Sequence, residues 1–180
     1  MDNDAHLTTI LANELGMALK ARGFSLVLAE SCTGGMVAQM VTSIAGSSAW
    51  FDRGYVTYSN QAKIDMLGVS SQTLENFGAV SEETAAEMVM GCLKASSLNS
   101  ANKNSTIINS ANSFIAASIT GIAGPDGGTP SKPVGTVCFA WAEIGSSIIT
   151  LTKKFDGNRQ QIRQQAAIFL IGQLVGHLKI

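Results

Sequence analysis

The sequence predicts a three-layer α/β/α domain around a mixed, largely parallel sheet. Three observations carry this. Short apolar runs of strand length at 25–29, 54–58 and 114–119 alternate with stretches of helical periodicity, the order expected when crossover helices join neighbouring strands. Two further strand-like runs, 134–141 and 147–154, follow one another directly through Glu143-Ile-Gly145, which adds consecutive strands to the same sheet. The 180 residues are 46% hydrophobic and 14% charged, so the chain can bury a substantial core as a single domain spanning 1–180.

Each element has its own signal. Leu7, Ile10, Leu11, Leu15, Ala18 and Leu19 recur at helical spacing, and Gly23 stands where that helix should stop. Ser25–Ala29 is a buried-strand candidate, and Met36–Ile44 reads as the helix after it. Gly54–Tyr58 is rich in β-branched and aromatic residues. Asn60–Leu67 and Ser71–Phe77 are short helices. Ser81 followed by Glu82 and Glu83 has the form of an N-cap with acidic residues in the first turn, opening a helix to about Ala95. Ile162, Ala166, Phe169, Leu170, Leu174 and Leu178 mark the apolar stripe of a last helix. Residues 96–113 hold 11 Ser or Asn in 18, a composition that favours turns and predicts an exposed excursion.

Composition narrows the function. The formal net charge of −1 gives no electrostatic reason for nucleic acid or an anionic membrane as partner. No apolar stretch reaches the roughly 18 residues of a membrane span. The first residues carry Asp2 and Asp4 and no apolar core of a signal peptide, so a cytoplasmic location is expected. Cys32, Cys92 and Cys138 are widely spaced and form no CxxC, so no disulfide framework or metal cluster is expected. The two histidines, His6 and His177, lie one near each end.

Four segments could carry chemistry. Glu30–Gly35 joins a strand to a helix. Ser31 there is either a nucleophile beside backbone amides that serve as an oxyanion hole, or it shares with Thr33 the duty of capping the helix. Tyr55–Lys63 places Tyr58 and Lys63 between a strand and a helix. Lys63 is either a solvated surface residue or, given how few histidines there are, the base of a Ser-Lys pair, which requires that its surroundings lower its pKa. Thr120–Thr129 has four glycines in the eight residues 121–128, and is either a plain multi-turn connection or a loop whose amides approach a ligand at a strand's carboxyl end. Arg159, followed by Arg163, sits in the first turn of the last helix, where the dipole disfavours a cation. It is either solvated or kept for a carboxylate or phosphate.

Taken together, AESCTGG at 29–35, AGSSAWFDRGYVTYSNQAK at 45–63, GAVSEET at 78–84, TGIAGPDGG at 120–128, KPVGTV at 132–137 and FDGNRQQIR at 155–163 resemble the nicotinamide-nucleotide amidohydrolase (PncC) family, the CinA C-terminal domain, in its stand-alone form. The resemblance implies a hydrolase that deamidates nicotinamide mononucleotide to nicotinate mononucleotide and ammonia, without metal or organic cofactor, as a homodimer. It implies Ser31 as nucleophile, Lys63 as base and Tyr58 as its assistant. Thr33, Gly34 and Gly35 would supply oxyanion amides; Tyr55, Asn60, Thr120, Gly121, Gly124 and Arg159 would contact the substrate, Arg159 at its phosphate. A pyridine-nucleotide-binding regulatory module with little turnover is the alternative. The Ser/Asn-rich stretch at 96–113 departs from the family pattern, where a shorter connection is expected.

Overall fold

The computed structural model describes residues 2–101 and 113–179. The chain runs α1 (Asp2–Arg22), β1 (Phe24–Glu30), α2 (Met36–Thr42), a 3₁₀ turn (Ser47–Ala49), β2 (Phe51–Val56), α3 (Asn60–Leu67), α4 (Ser71–Phe77), α5 (Glu82–Ala101), β3 (Ser113–Gly121), β4 (Thr136–Glu143), β5 (Ile149–Lys154) and α6 (Arg159–Leu178). The five strands form one sheet in the order β2-β1-β3-β4-β5. β1 runs parallel to both β2 and β3, while β4 and β5 are antiparallel additions on the far side.

Period-two alternation divides the central strands between two cores. Leu26, Leu28, Ile115, Ala117, Ile119, Phe139 and Trp141 face one side, where Leu15 and Leu19 of α1, Val37 and Val41 of α2, and the stripe Ile162, Ala166, Leu170 and Leu174 of α6 cover them. Val27, Ala29, Ala116, Cys138, Ala140 and Ala142 face the other, beneath Leu67 of α3 and Ala85, Met88, Val89 and Cys92 of α5. With both faces covered, β1, β3 and β4 read as continuous apolar runs. The helices therefore form layers on both sides of a mixed sheet, as the sequence predicts.

The largest departures from the expected boundaries are in β2 and α5. β2 begins at Phe51 and ends at Val56, earlier than the predicted 54–58. It is an edge strand whose residues alternate between half-buried and exposed, so Asp52 and Arg53 mask its start. α5 continues to Ala101, past the predicted end near Ala95. Its serines stay helical by bonding back along the helix: Ser96 Oγ donates to the Cys92 carbonyl at 2.9 Å and Ser97 Oγ to the Leu93 carbonyl at 2.9 Å. The predicted excursion thus begins as helix, and its part at 102–112 lies outside the described residues. No helix among the described residues is long and apolar enough to cross a membrane.

The second layer depends on a close helix–helix approach. A Cβ on Gly91 of α5 would stand 2.1 Å from the Leu67 carbonyl oxygen at the end of α3, and a backbone atom cannot yield as a side-chain tip can. Gly91→Ala is expected to lower the unfolding free energy by about 2 kcal/mol, read from urea denaturation as a lower midpoint with the slope unchanged.

Candidate active site

Three parallel strands end at one place. Ser31 is the first residue past β1, Thr57 and Tyr58 follow β2, and Thr120 and Gly121 close β3. After β1 the chain turns to α2 on one face; after β2 it turns to α3 on the other. Connections that part to opposite faces open a crevice at the strands' carboxyl ends. There the structure has a cavity of about 190 Å³ lined by Ser31, Cys32, Tyr58, Lys63, Ala79, Val80, Thr120, Gly121, Ala123 and Arg159.

Lys63 reaches this cavity because of where α3 starts. Ser59 caps that helix, its hydroxyl accepting from the Ala62 amide at 3.0 Å. Lys63 lies one turn in, and helical side chains lean back toward the N-terminus, so the amine returns to the β2 end. Its Nζ donates to the Thr57 carbonyl at 2.8 Å and to Ser31 Oγ at 3.0 Å. The residue is only 1% exposed, and it takes part in none of the ion pairs among the described residues. Burial without a counter-charge disfavours the ammonium and holds the Lys63 pKa below its ordinary value of 10.5. A neutral amine has two N–H groups and a lone pair, so it can donate to Thr57 and turn the lone pair on Ser31.

The sign of the linked stability effect follows. Across the window between the lowered folded pKa and the ordinary 10.5, the unfolded chain holds the Lys63 proton and the folded chain does not. Stability contributed by this residue therefore rises with pH through that window and is level above it. The unfolding free energy of wild type minus that of Lys63→Met is expected to climb with pH across the same interval. A flat difference in denaturation measured from neutral to alkaline pH would contradict the burial argument.

Cys32 sits beside Ser31 but is a poor nucleophile. Burial, reinforced by the nearby charge of Glu30, pushes its thiol up to about 12, so it stays protonated at neutral pH. Ser31, 8% exposed and hydrogen-bonded to the amine, is the hydroxyl that can be deprotonated in place.

The turn holding Ser31 is fixed by a residue that the sequence motif hides. The Glu30 carboxylate, 1% exposed, accepts from the amides of Gly35 at 3.0 Å, Val37 at 3.1 Å and Ala38 at 2.8 Å. It therefore takes the capping role that the spacing offered to Ser31 or Thr33, and leaves the Ser31 hydroxyl for Lys63. The Thr33 hydroxyl is buried and has no hydrogen-bond partner among the described residues. The Gly34 amide donates to the Ser31 carbonyl at 3.0 Å, so both glycine amides of the motif are engaged. Among the described residues no other residue accepts from the amides of Cys32 or Thr33, and the Cys32 amide lies against its own thiol. On the outer side, Arg163 of α6 donates from Nε to the Cys32 carbonyl at 3.0 Å and from Nη2 to the Thr33 carbonyl at 2.6 Å. Glu30→Ala leaves three helix-end amides without their acceptor and is expected to cost about 2 kcal/mol of stability, with Glu30→Gln intermediate, both read by thermal or chemical denaturation.

The comparisons with known proteins agree with this architecture. The sequence profile of the CinA C-terminal domain matches residues 8–175. The chain belongs to the CinA C-terminal domain family. Among its relatives, "Nicotinamide-nucleotide amidohydrolase PncC" of Enterobacter agglomerans is 50% identical over 159 residues, covering 88% of each chain. The protein of the same name from Escherichia coli K12 is 49% identical over 164 residues, covering 91% of this chain and 90% of that one. The crystal structure of competence/damage inducible protein CihA from Agrobacterium tumefaciens superposes with a TM-score of 0.82 at 39% identity, covering 97% of this chain and 96% of that one.

In this CinA C-terminal domain, not every residue singled out by sequence meets at the cavity. Tyr58 is 59% exposed at the mouth, and its hydroxyl accepts from Arg159 Nη2 at 2.7 Å. Arg159 Nη1 donates to the Gly124 carbonyl at 2.7 Å. One guanidinium thus ties the segment after β2 to the glycine loop after β3. Thr120 anchors the wall through its hydroxyl, which donates to the Ala79 carbonyl at 2.7 Å. Gly121 has a local cause, since a Cβ there would meet the Thr136 carbonyl oxygen at 2.8 Å. Tyr55 is half-buried against the second core, and Asn60 is exposed in the first turn of α3; neither of them lines the cavity, nor do Thr33, Gly34, Gly35 and Gly124. Sequence reasoning passed over Glu30, Thr57 and Arg163. Arg163 did leave a signal, because it follows Arg159 by four residues and so shares its helix face.

Proposed function

We propose that this protein is a nicotinamide-nucleotide amidohydrolase that converts nicotinamide mononucleotide and water to nicotinate mononucleotide and ammonia by Ser-Lys acyl transfer. The observation that carries the reading is the 3.0 Å contact between buried Lys63 Nζ and Ser31 Oγ at a cavity. The names borne by the relatives at 49–50% identity supply the substrate class.

Neutral Lys63 takes the Ser31 proton as Oγ attacks the carboxamide carbon. The resulting oxyanion faces amides of the 31–35 turn, where Cys32 and Thr33 have the free N–H groups. Lys63, now protonated, gives its proton to the amide nitrogen, the C–N bond breaks and ammonia leaves. Water, deprotonated by the same amine, then attacks the nicotinoyl ester and returns Ser31. The cationic pyridinium withdraws electrons from the carbonyl, and by like-charge repulsion it also favours the neutral lysine. Arg159, held by the Gly124 carbonyl, and Tyr58, at the mouth, would meet the ribose phosphate, with Thr120 and Gly121 along the wall. A single cytoplasmic domain acting as a homodimer completes the proposal on the strength of the family resemblance.

The test is ammonia and nicotinate mononucleotide release from purified protein without added metal. Wild type should form both products in equal amounts. Ser31→Ala and Lys63→Ala, folded by circular dichroism, should each lose at least about 10³-fold in kcat. Because the base must be unprotonated, kcat/KM should rise with pH to a plateau, its inflection below 10.5. Binding of the nucleotide without turnover would replace the hydrolase with a regulatory binding module.

A further inference from the structure

We infer that Arg163 is a positioning residue for the oxyanion site, holding the Cys32–Thr33 turn so that its free amides point at the reacting carbonyl. The inference rests on the acyl-transfer reading above and adds a residue outside the cavity lining.

The argument starts from the peptide plane. In a trans peptide the carbonyl of one residue and the N–H of the next point in opposite directions, so fixing the carbonyl fixes that N–H. The Ser31 carbonyl accepts from the Gly34 amide at 3.0 Å, which sets the direction of the Cys32 N–H. The Cys32 carbonyl accepts from Arg163 Nε at 3.0 Å, which sets the direction of the Thr33 N–H. The same guanidinium, through Nη2, takes the Thr33 carbonyl at 2.6 Å. Arg163 thus holds two successive carbonyls as a planar fork, a geometry that a lysine ammonium cannot reproduce. A turn of this kind lacks the hydrogen-bond ladder of a strand or helix interior. Without the fork the Thr33 peptide has only the 3.3 Å bond from the Met36 amide to its own carbonyl, and the Cys32 carbonyl has none.

The position of α6 makes the fork possible. Ile162 and Ala166 on either side of Arg163 are buried in the first core, so the arginine's helix is seated and its side chain is half-buried against the turn. Asn158 and Gln161 form a capping box that fixes where the helix begins. Misdirecting an oxyanion donor costs transition-state stabilisation, with little effect on ground-state binding.

The experiment compares wild type with Arg163→Ala and Arg163→Lys, using nicotinamide mononucleotide and its thiocarboxamide analogue. The expected result for both variants is a fall in kcat of about 10²-fold with KM within about threefold. The rate ratio of amide to thioamide should shrink, because sulfur accepts hydrogen bonds poorly and only aimed donors penalise it. Millimolar guanidinium should restore part of the Arg163→Ala rate. An unchanged kcat, a rise confined to KM, or an unchanged ratio would overturn the inference; a purely structural role would leave the ratio alone. Backbone ¹⁵N relaxation of the Cys32 and Thr33 amides gives a reading that needs no turnover. Loss of order confined to these amides in Arg163→Lys supports the assignment, and unaltered order rejects it. Inactive wild type with that loss of order would sink the proposed reaction and leave the positioning role standing.

Discussion

The site depends on a buried amine that has no counter-charge among the described residues. Desolvating an ammonium costs several kcal/mol unless a partner offsets it, and Lys63 is given a carbonyl and a hydroxyl in place of a carboxylate. Those two partners suit the neutral amine: one accepts an N–H, and the other can meet the lone pair. A carboxylate in their place would hold the proton on nitrogen. The chemistry is therefore set by which groups the fold keeps away from Lys63 as much as by which it brings near. Glu30 illustrates this. It is buried one residue before Ser31, yet its carboxylate is turned to the amides of Gly35, Val37 and Ala38 at the start of α2 and takes part in no ion pair among the described residues.

That arrangement needs the parallel half of the sheet. β1 lies between β2 and β3, so the ends of all three strands converge, and their pairing, in register from Val27 onward past a shift between Leu26 and Val27 on the β2 side, fixes Ser31 relative to Thr57 and Thr120. The register continues past the strand ends: the Ser31 amide donates to the Ile119 carbonyl at 3.0 Å and the Thr57 amide to the Glu30 carbonyl at 2.8 Å. Ser31 and Thr57 are thereby set from the sheet itself, and Lys63 is brought to them by a helix. The antiparallel strands β4 and β5 extend the platform that α5 and α6 cover.

Much of this was legible in the sequence, for identifiable reasons. Strands buried on both faces leave unbroken apolar runs, so β1, β3 and β4 were found; the edge strand β2, with Asp52 and Arg53 at its start, was displaced. Helices punctuated by Ser59, Ser70 and Gly68 were located to the residue because their caps are local chemistry. Ser31 and Lys63 were named from type and scarcity, but their separation of 32 positions made the contact itself a tertiary fact. Glu30 and Arg163 escaped because each acts on backbone groups. A motif shows residue types, whereas which carbonyl or amide they serve is decided only when strand, turn and helix are assembled.

Burial also divides the two cations at the site by function. Lys63 lies inside, where desolvation works against its charge; Arg159 lies exposed at the mouth, where water and its delocalised guanidinium preserve the charge. Exchanging the two residue types would fail at both positions. An arginine inside could not release its proton, and a lysine outside could not bridge the Tyr58 hydroxyl and the Gly124 carbonyl with one planar group. One small cavity thus has an exposed guanidinium at its entrance and a buried amine within it. The difference in solvent exposure between them is what lets two basic residues of opposite behaviour share one cavity.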